Sequence, residues 1–371
     1  MGRKMKIVTK LMIGTVCLIG IPSIVIMIMV YQAMTQQFET SMGRAITQGV
    51  QQTATAIDDF AKNRISDIDA FSDSPIFQLE SDDVINDHLD SIVDAYAFYD
   101  ALTYANPDGV VIASTDKGLI GRVLYDEQPD TKDAFMKALK TADGDSVFMS
   151  DLSDPTLTGK NARQNDLDME VLSDVSGPDG QPIGVLLGVV NVSKMIEIVA
   201  FADDITVGDE SAYLVDKNGL VMITPDRYAS IMGPHKDLAI PSLSKQLGMD
   251  GNGYKIYTNA DGIKVLTSYV DLSEYGYDAV GDWSLIATSV YDDIMAPVYD
   301  LMATLVYAVI IMMVILISLG FYLTRTSISN PVSNFINQIN SLAQDKNLTI
   351  QLPSKGKGDL ADLGKSFNQF A

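Results

Sequence analysis

Two long uncharged apolar runs stand near the ends of the chain, and a polar stretch separates them. The runs are Leu11–Tyr31 and Leu301–Leu323. Each is long enough for a helix that crosses the bilayer core, which takes about 20 residues. We therefore predict transmembrane helices over residues 11–31 and 298–323. A cleaved signal peptide is the alternative for the first run, but the run is longer than a signal core and Tyr31-Gln32-Ala33 is a poor cleavage site.

Basic residues flank both runs on the sides that face the chain termini. They are Arg3, Lys4, Lys6 and Lys10 before the first run and Arg325 after the second. Because short basic flanks stay in the cytoplasm, we expect residues 1–10 to be a cytoplasmic N-terminus and residues 32–297 to be extracytoplasmic. The predicted location is the inner (cytoplasmic) membrane, with the central segment in the periplasm or outside the cell.

The central segment is strongly acidic. Residues 32–297 contain 44 Asp and Glu against 17 Lys and Arg, a net charge of −27, whereas the whole chain carries −22. This argues against a nucleic-acid partner, because neutralising phosphates requires basic side chains. A cationic ligand, a saline habitat and a surface that is simply kept soluble are all compatible with it.

The chain offers little for redox, metal or catalytic chemistry. Its only cysteine, Cys17, lies inside the first apolar run, and its two histidines are His88 and His235. An intrachain disulfide and a thiolate metal cluster are therefore excluded, and we expect no metal and no cofactor. The sequence contains no Gly-rich phosphate loop, zinc-binding His pair or Gly-x-Ser-x-Gly elbow. It predicts a binding protein, not an enzyme.

A helical pattern follows the first run. Apolar residues recur every three or four positions and lie on one face: Phe38, Met42, Ile46, Val50, Thr53, Ile57, Phe60, Ile65, Ile68 and Phe71. The predicted helix extends about 50 Å from the membrane and ends near Pro75. Its face suits packing against an identical chain, as in a homodimer, as well as packing against its own domain.

An internal repeat divides the rest of the central segment. Residues 102–113 and residues 213–223 each read as strand, tight turn and strand, with Asn or Asp opening the turn and Gly closing it. Each copy is followed by a second hairpin, with its turn at residues 177–180 or 259–262, and we expect these two hairpins to correspond. The fold class is thus α+β: a long N-terminal helix and two tandem antiparallel-sheet modules, a distal one over about 76–200 and a proximal one over about 205–290.

This arrangement resembles a double Cache sensor, a pair of extracytoplasmic PAS-like domains. Ala212–Gly219, with its Asp-x-x-Gly turn, and the Gly281–Ala287 approach to the last strand carry the resemblance most closely. The family's fold implies that a small ligand binds the distal module, between its sheet and a helical insert. In this chain the insert is Gly121–Asp154.

The tail, residues 324–371, resembles a HAMP domain that is truncated at its C-terminal end. Pro331 stands in the first turn of an amphipathic helix, a polar connector covers 343–357, and a second helix begins near Asp359. The apolar positions of the two helices are Ile328, Val332, Phe335, Ile336, Ile339 and Leu342, then Leu360, Leu363, Phe367 and Phe370. Two such helices with little else to bury them imply a dimeric four-helix bundle.

The family's pattern also suggests site residues. Cache domains that bind amino acids carry Arg-x-Trp in the insert, then Tyr-x-Asp, and an Asp on the last strand. Here Lys132 and Ala134 fall near the first pair, Leu152-Ser153-Asp154 replaces the second, and Asn191 falls near the last. The candidate ligand-binding residues are Tyr125, Lys132, Phe148, Asp151, Asp154, Asp168 and Asn191. Phe135 belongs with the apolar face Phe135-Met136-Leu139 and is expected in the core.

The two resemblances together imply the sensory half of a bacterial methyl-accepting chemotaxis protein. A small ligand, favoured to be an amine or an amino acid, would act through the second transmembrane helix and HAMP on a cytoplasmic signalling domain and its kinase complex. Lys132 leaves an anionic ligand open. A sensor histidine kinase or a diguanylate cyclase with the same input is the alternative, and a surface protein that merely tethers a ligand is a third.

Overall fold

The structure is a computed structural model. It describes residues 7–79, 81–125, 129–140, 148–149, 168–206, 212–216, 221–225, 251–259, 261–272, 283–345 and 359–370. The chain divides into two compact units. We call Glu39–Met295 the central unit, and Met1–Phe38 with Ala296–Ala371 the terminal unit.

The first helix, α1, runs without interruption over Ile7–Ser72, a length of 66 residues. The predicted end near Pro75 is confirmed, since Pro75 opens a short 3-10 turn, Pro75–Gln78. Within the central unit, most of the apolar face of α1 is buried against the chain's own sheets, with Val50, Ile57 and Ile68 inaccessible to solvent. This face is therefore used for packing within the protomer.

The distal module is a five-stranded antiparallel sheet. Its strand order is β2-β1-β5-β4-β3. The elements, in chain order, are α2 Asp82–Ala95, β1 Tyr99–Ala105, β2 Val111–Ser114, α3 Pro129–Lys140, β3 Phe148–Met149, β4 Asp168–Ser176 and β5 Pro182–Asn191. The β1–β2 hairpin and a helix within the predicted insert are thus confirmed.

The proximal module repeats this sheet with the order β7-β6-β10-β9-β8. Helix α4, Ser193–Asp204, leads into it, and its strands are β6 Ala212–Val215, β7 Val221–Ile223, β8 Asn252–Thr258, β9 Lys264–Asp271 and β10 Ser284–Val290. Trp283, directly before β10, is buried, and its carbonyl accepts a hydrogen bond of 2.9 Å from the N–H of Leu272. The prediction of two tandem antiparallel sheets is confirmed.

The expected correspondence between the second hairpins is wrong. The turn at 177–180 joins β4 to the central strand β5, whereas the turn at 259–262 joins the edge strand β8 to β9. The counterpart of β5 is β10, because each lies between the first strand of its module and the fourth. The turn chemistry is local: the Asn259 side chain accepts from the N–H groups of Asp261 and Ile263. These hydrogen bonds make the chain reverse its direction, but they do not determine which strands of the sheet the turn connects.

Helix α1 packs on one face of both sheets, and glycines permit the close approach. A Cβ on Gly188 of β5 would lie 2.3 Å from Ile68 Cδ1, and a Cβ on Gly43 of α1 would lie 2.5 Å from the ring of Tyr254 in β8. The Thr47 hydroxyl of α1 lies 3.2 Å from Ser268 Oγ in β9. The opposite face of each sheet is left for other elements.

After β10 the chain is helical. Helix α5 spans Tyr291–Thr324, a π-helical turn follows at Arg325–Ser329, and then come α6, Asn330–Asp345, and α7, Asp359–Phe370. The two predicted tail helices are confirmed, although residues 343–345, assigned to the connector, belong to α6. Helices α1 and α5 are each long and apolar enough to cross a membrane, and both expose large apolar side chains, such as Leu18 and Tyr307.

Candidate functional site

The candidate site lies on the distal sheet, on the face away from α1. Helix α3 covers part of this face, and Phe135 and Ala138 pack against Leu172 of β4 and Leu187 of β5. Phe135 is fully buried, as expected for a core residue. The remainder of the face, toward the end of β5, carries polar residues.

Tyr125 and Lys132 lie together at the α3 side of the site. The Tyr125 hydroxyl donates a hydrogen bond of 2.8 Å to the carbonyl of Asp108, and its ring centroid lies 5.4 Å from that of Phe135. Lys132 Nζ lies 5.3 Å from the Tyr125 ring centroid, within the range of a cation–π contact. The turn glycine Gly109 has φ +81°, and a Cβ there would lie 2.2 Å from Tyr125 Cε1. The β1–β2 turn therefore makes room for Tyr125.

Strand register brings two further candidates together. Asp168, the first residue of β4, is directly opposite Asn191, the last of β5. The Asn191 side-chain amide donates a hydrogen bond of 2.9 Å to Asp100 Oδ1, and its backbone N–H donates one of 2.8 Å to the carbonyl of Phe98. The sequence analysis missed Asp100, because only the pairing of β1 with β5 brings it beside Asn191.

Glu170 is the second residue that the sequence analysis missed. It is opposite Val189 and two residues from Leu172, so it shares the face that α3 packs on, and only 7% of it is exposed. A buried carboxylate is costly unless other groups pair with it, and Glu170 makes such an interaction within the protein. The alternation Asp168, Glu170 and Leu172 along β4 was the available signal.

The other candidates are less constrained. Phe148 lies in the short edge strand β3, opposite Leu172. Asp151 and Asp154 lie outside the described residues, so their role stays a prediction. In the part of the chain that the structure describes, no group of three or more His, Cys, Asp or Glu could hold a metal ion.

A charged aromatic cluster on the other face of the sheet ties α1 to the start of β1. Arg64 Nη2 lies 2.9 Å from Asp67 Oδ2, and the guanidinium carbon lies 4.1 Å from the Phe98 ring centroid. The Tyr99 hydroxyl donates to the Arg64 carbonyl at 3.3 Å and to Asp67 Oδ2 at 3.2 Å. Burial raises the pKa of Tyr99, the Asp67 carboxylate raises it further, and Arg64 acts in the opposite direction.

Two antiparallel sheets of identical strand order on one long helix, with a polar face under a helical insert, define a tandem ligand-sensing domain. Residues 30–298 match the model of the Cache domain family. The chain belongs to this family. No curated protein matches the chain at a significant level.

Solved structures with the same fold include sensory domains of chemoreceptors and of proteins assigned as histidine kinases. The sensory domain of the Campylobacter jejuni chemoreceptor Tlp3, with isoleucine bound, is 15% identical and has a TM-score of 0.51; the match covers 70% of this chain and 97% of that one. A second crystal structure of the same domain is 16% identical and has a TM-score of 0.50. That match covers 71% of this chain and 99% of the other. The extracellular domain of a protein assigned as a histidine kinase is 12% identical with a TM-score of 0.53, over 71% and 96%. At these identities the likeness establishes the fold alone.

Proposed function

We propose that the chain is the sensory input region of a transmembrane chemoreceptor of the methyl-accepting kind. The distal module binds a small extracellular amine or amino-acid-like ligand. The signal passes through α5 and a HAMP domain built from α6 and α7 to a cytoplasmic signalling domain and its kinase complex. The receptor is a homodimer, in which two α6–α7 pairs form a four-helix bundle, and this region carries out no catalysis.

The observation that carries the proposal is the buried Glu170 carboxylate on the sheet face that α3 packs on. A ligand ammonium between the sheet and α3 forms a charge-assisted hydrogen bond with such a carboxylate. Asp168 and Asn191 lie two register positions further along the same strand pair, at its next position on this face. In this proposal Lys132, on α3, pairs with the acid end of a zwitterion. Isoleucine, the ligand in the Tlp3 structure, has this charge pattern.

The relay needs the sheet and the membrane helices to move together. The Tyr291 hydroxyl, at the first residue of α5, donates a hydrogen bond to Glu39 of α1. This bond links the two long helices at the edge of the proximal module. A ligand that favours one of two closely balanced packings of the module then shifts both helices.

A sensor histidine kinase, or equally a diguanylate cyclase, is the second candidate for the output. The fold is shared with a domain assigned to a histidine kinase, and the input and relay just described serve either output. The ligand assignment is independent of this choice.

The test of the ligand class uses the full chain in lipid nanodiscs and isothermal titration calorimetry against primary amines and amino acids. We expect Glu170→Gln, which keeps the side-chain shape, to weaken amine binding at least tenfold. The matched control is Glu197→Gln, which removes an equal charge from an exposed position on α4 and should bind as the wild type does. Unchanged affinity in Glu170→Gln, with the same melting temperature as the wild type, would refute the amine site.

A further inference from the structure

The first strand of the distal sheet begins with a β-bulge. In the pairing of β1 with β5, Tyr99 lies opposite Val190. Ala101 lies opposite Val189, the neighbouring residue on β5, so Asp100 is an extra residue with no partner of its own on that strand. A bulge breaks the strict alternation of side chains along a strand and changes the direction of the side chain at that point.

Because of the bulge, Asp100 and Ala101 face the same side of the sheet. Ala101 is opposite Val189 and so shares the face that α3 packs on. Asn191 lies two residues beyond Val189 and belongs to the same face. The Asp100 carboxylate reaches this face too, because it accepts a hydrogen bond of 2.9 Å from the Asn191 side chain. The bulge thus adds a carboxylate to the face of the candidate site.

The contact with Asn191 leaves the charge of Asp100 in place. A carboxylate only accepts hydrogen bonds, so the amide nitrogen of Asn191 must be the group that faces Asp100 Oδ1. The amide is neutral, and its one N–H uses only part of the capacity of a carboxylate, which can accept about four hydrogen bonds. Asp100 is exposed, and no ion pair among the described residues involves it. It can therefore accept hydrogen bonds from a cationic ligand.

Asp100 and Glu170 stand on opposite sides of the central strand β5. Glu170 of β4 is opposite Val189 on one side, and Asp100 of β1 directly precedes the residue opposite Val189 on the other. Neighbouring strands are about 4.8 Å apart, and the hydrogen bond to Asn191 shows that the Asp100 side chain extends toward β5. A ligand ammonium over the end of β5 is therefore flanked by an acidic residue on each neighbouring strand.

The aromatic residues bear on the class of amine. A quaternary ammonium has no N–H group and is recognised by aromatic faces. The Tyr125 ring already has the Lys132 ammonium 5.3 Å from its centroid, and a second cation there would meet a like charge. Phe135 is fully buried in the core. These residues therefore favour a ligand whose ammonium is recognised through its N–H groups.

We propose that Asp100 is the second carboxylate of the ammonium site and makes the distal module selective for primary amines over their N-methylated forms. A primary ammonium has three N–H donors and can form charge-assisted hydrogen bonds with Asp100 and Glu170 together. Each methyl group removes one donor, and a quaternary ammonium has none. The inference rests on the proposed function, since it concerns the same site, and it adds a binding residue and the class of amine.

The test is isothermal titration calorimetry of the full chain in lipid nanodiscs with two series of probes. One series is butylamine with its N-methyl, N,N-dimethyl and N,N,N-trimethyl derivatives, and the other is L-isoleucine with N-methyl-L-isoleucine. We expect the wild type to bind the primary member of at least one series and to lose affinity at least threefold with each methyl group.

The variant Asp100→Asn keeps the side-chain shape and an acceptor for Asn191 but removes the charge. It should weaken binding of the primary probe at least tenfold and reduce the loss of affinity per methyl group. The matched control is Asp94→Asn, which removes an equal charge from an exposed position in the last turn of α2 and should bind as the wild type does.

Three results would overturn the inference: wild-type affinity for the primary probe in Asp100→Asn, equal affinity of the wild type for primary and trimethylated probes, or no binding of either primary probe. Loss of binding in Glu170→Gln but not in Asp100→Asn would support the proposed function and refute the role of Asp100. A folding defect in the variant would lower the number of sites for all probes alike, so the ratio of affinities between primary and methylated probes remains decisive.

Discussion

The Arg64 guanidinium lies against the face of the Phe98 ring, with its carbon 4.1 Å from the ring centroid. Arg64 belongs to α1, the helix that continues into the first apolar run, and Phe98 directly precedes β1. The Phe98 carbonyl accepts the backbone N–H of Asn191 at 2.8 Å. Phe98 thus contacts both the long helix and the end of the strand that carries the candidate residue Asn191.

Replacing Arg64 should destabilise the distal module. Arg64→Met keeps much of the side-chain volume but removes the contact with Phe98 and leaves Asp67 without its guanidinium partner. We expect the free energy of unfolding to fall by about 2 kcal/mol, measured by thermal unfolding. Lys117→Met is the control, since the Lys117–Asp90 pair is about half exposed and such pairs contribute at most about 1 kcal/mol. Equal losses in the two variants would contradict the prediction.

Alkaline pH should destabilise the central unit through Tyr99. Its pKa is raised in the folded protein, chiefly by burial and then by Asp67. Below pH about 10, the ordinary pKa of tyrosine, the phenol is protonated in both the folded and unfolded chains. Above it, the unfolded chain releases the proton first, so stability falls as pH rises. The melting temperature of Tyr99→Phe should therefore fall less between pH 9 and pH 11 than that of the wild type.

Tyr104 supplies a check on this reasoning. Burial also raises its pKa, so Tyr104→Phe should reduce the alkaline sensitivity with the same sign. A pH dependence that is identical in the wild type and both variants would show that other groups control the alkaline limit.

Gly188 is expected to be essential for the packing of α1 on the distal sheet. Gly188→Ala places a methyl group 2.3 Å from Ile68 Cδ1. Overpacking of this kind costs about 1–3 kcal/mol. Because the obstructing atom is the end of the Ile68 side chain, Ile68→Val in the same chain should recover most of the loss, whereas Ile68→Val alone should be mildly destabilising. Strictly additive effects of the two changes would exclude a direct clash.

The membrane orientation can be tested with reporter fusions. If basic flanks set the orientation, a reporter that is active only outside the cytoplasm should work when fused near Asp250 and fail when fused after Lys346. A cytoplasmic reporter at the same two positions is the matched control and should give the opposite pattern. Reversed activities would refute the receptor layout.

Much of the fold could be predicted because the patterns are local. The helical spacing through Ile46 and Ile68, and the strand–turn–strand motifs with their closing glycines, need only a few neighbouring residues to be recognised. The place of a hairpin in a sheet is different. The turns at 177–180 and 259–262 look alike in sequence, but strand order depends on long-range pairing that turn chemistry does not determine.

The candidate site was predicted less well for a related reason. Lys132 and Asn191 were found through their likeness to the family's pattern, and Tyr125 was found as an aromatic residue of the predicted insert; all three lie in the distal module. Glu170 was not found, because acidic residues are so abundant in this segment that none is distinctive by type. Its alternation with Asp168 and Leu172 along β4 marks a shared face of the sheet, but this local pattern does not show how deeply that face is buried.

Trp283 is the chain's only tryptophan, and it is 1% exposed at the start of β10. The molecule therefore contains a single tryptophan fluorophore, which can be excited apart from the tyrosines, lies in the proximal module and is remote in sequence from every candidate residue of the distal site. Its emission responds to changes in the proximal sheet. It responds to changes in the distal sheet only if the two sheets are coupled. If an amine shifts the wavelength of the Trp283 emission maximum, its binding in the distal module has changed the proximal module. This coupling can be measured without any added label.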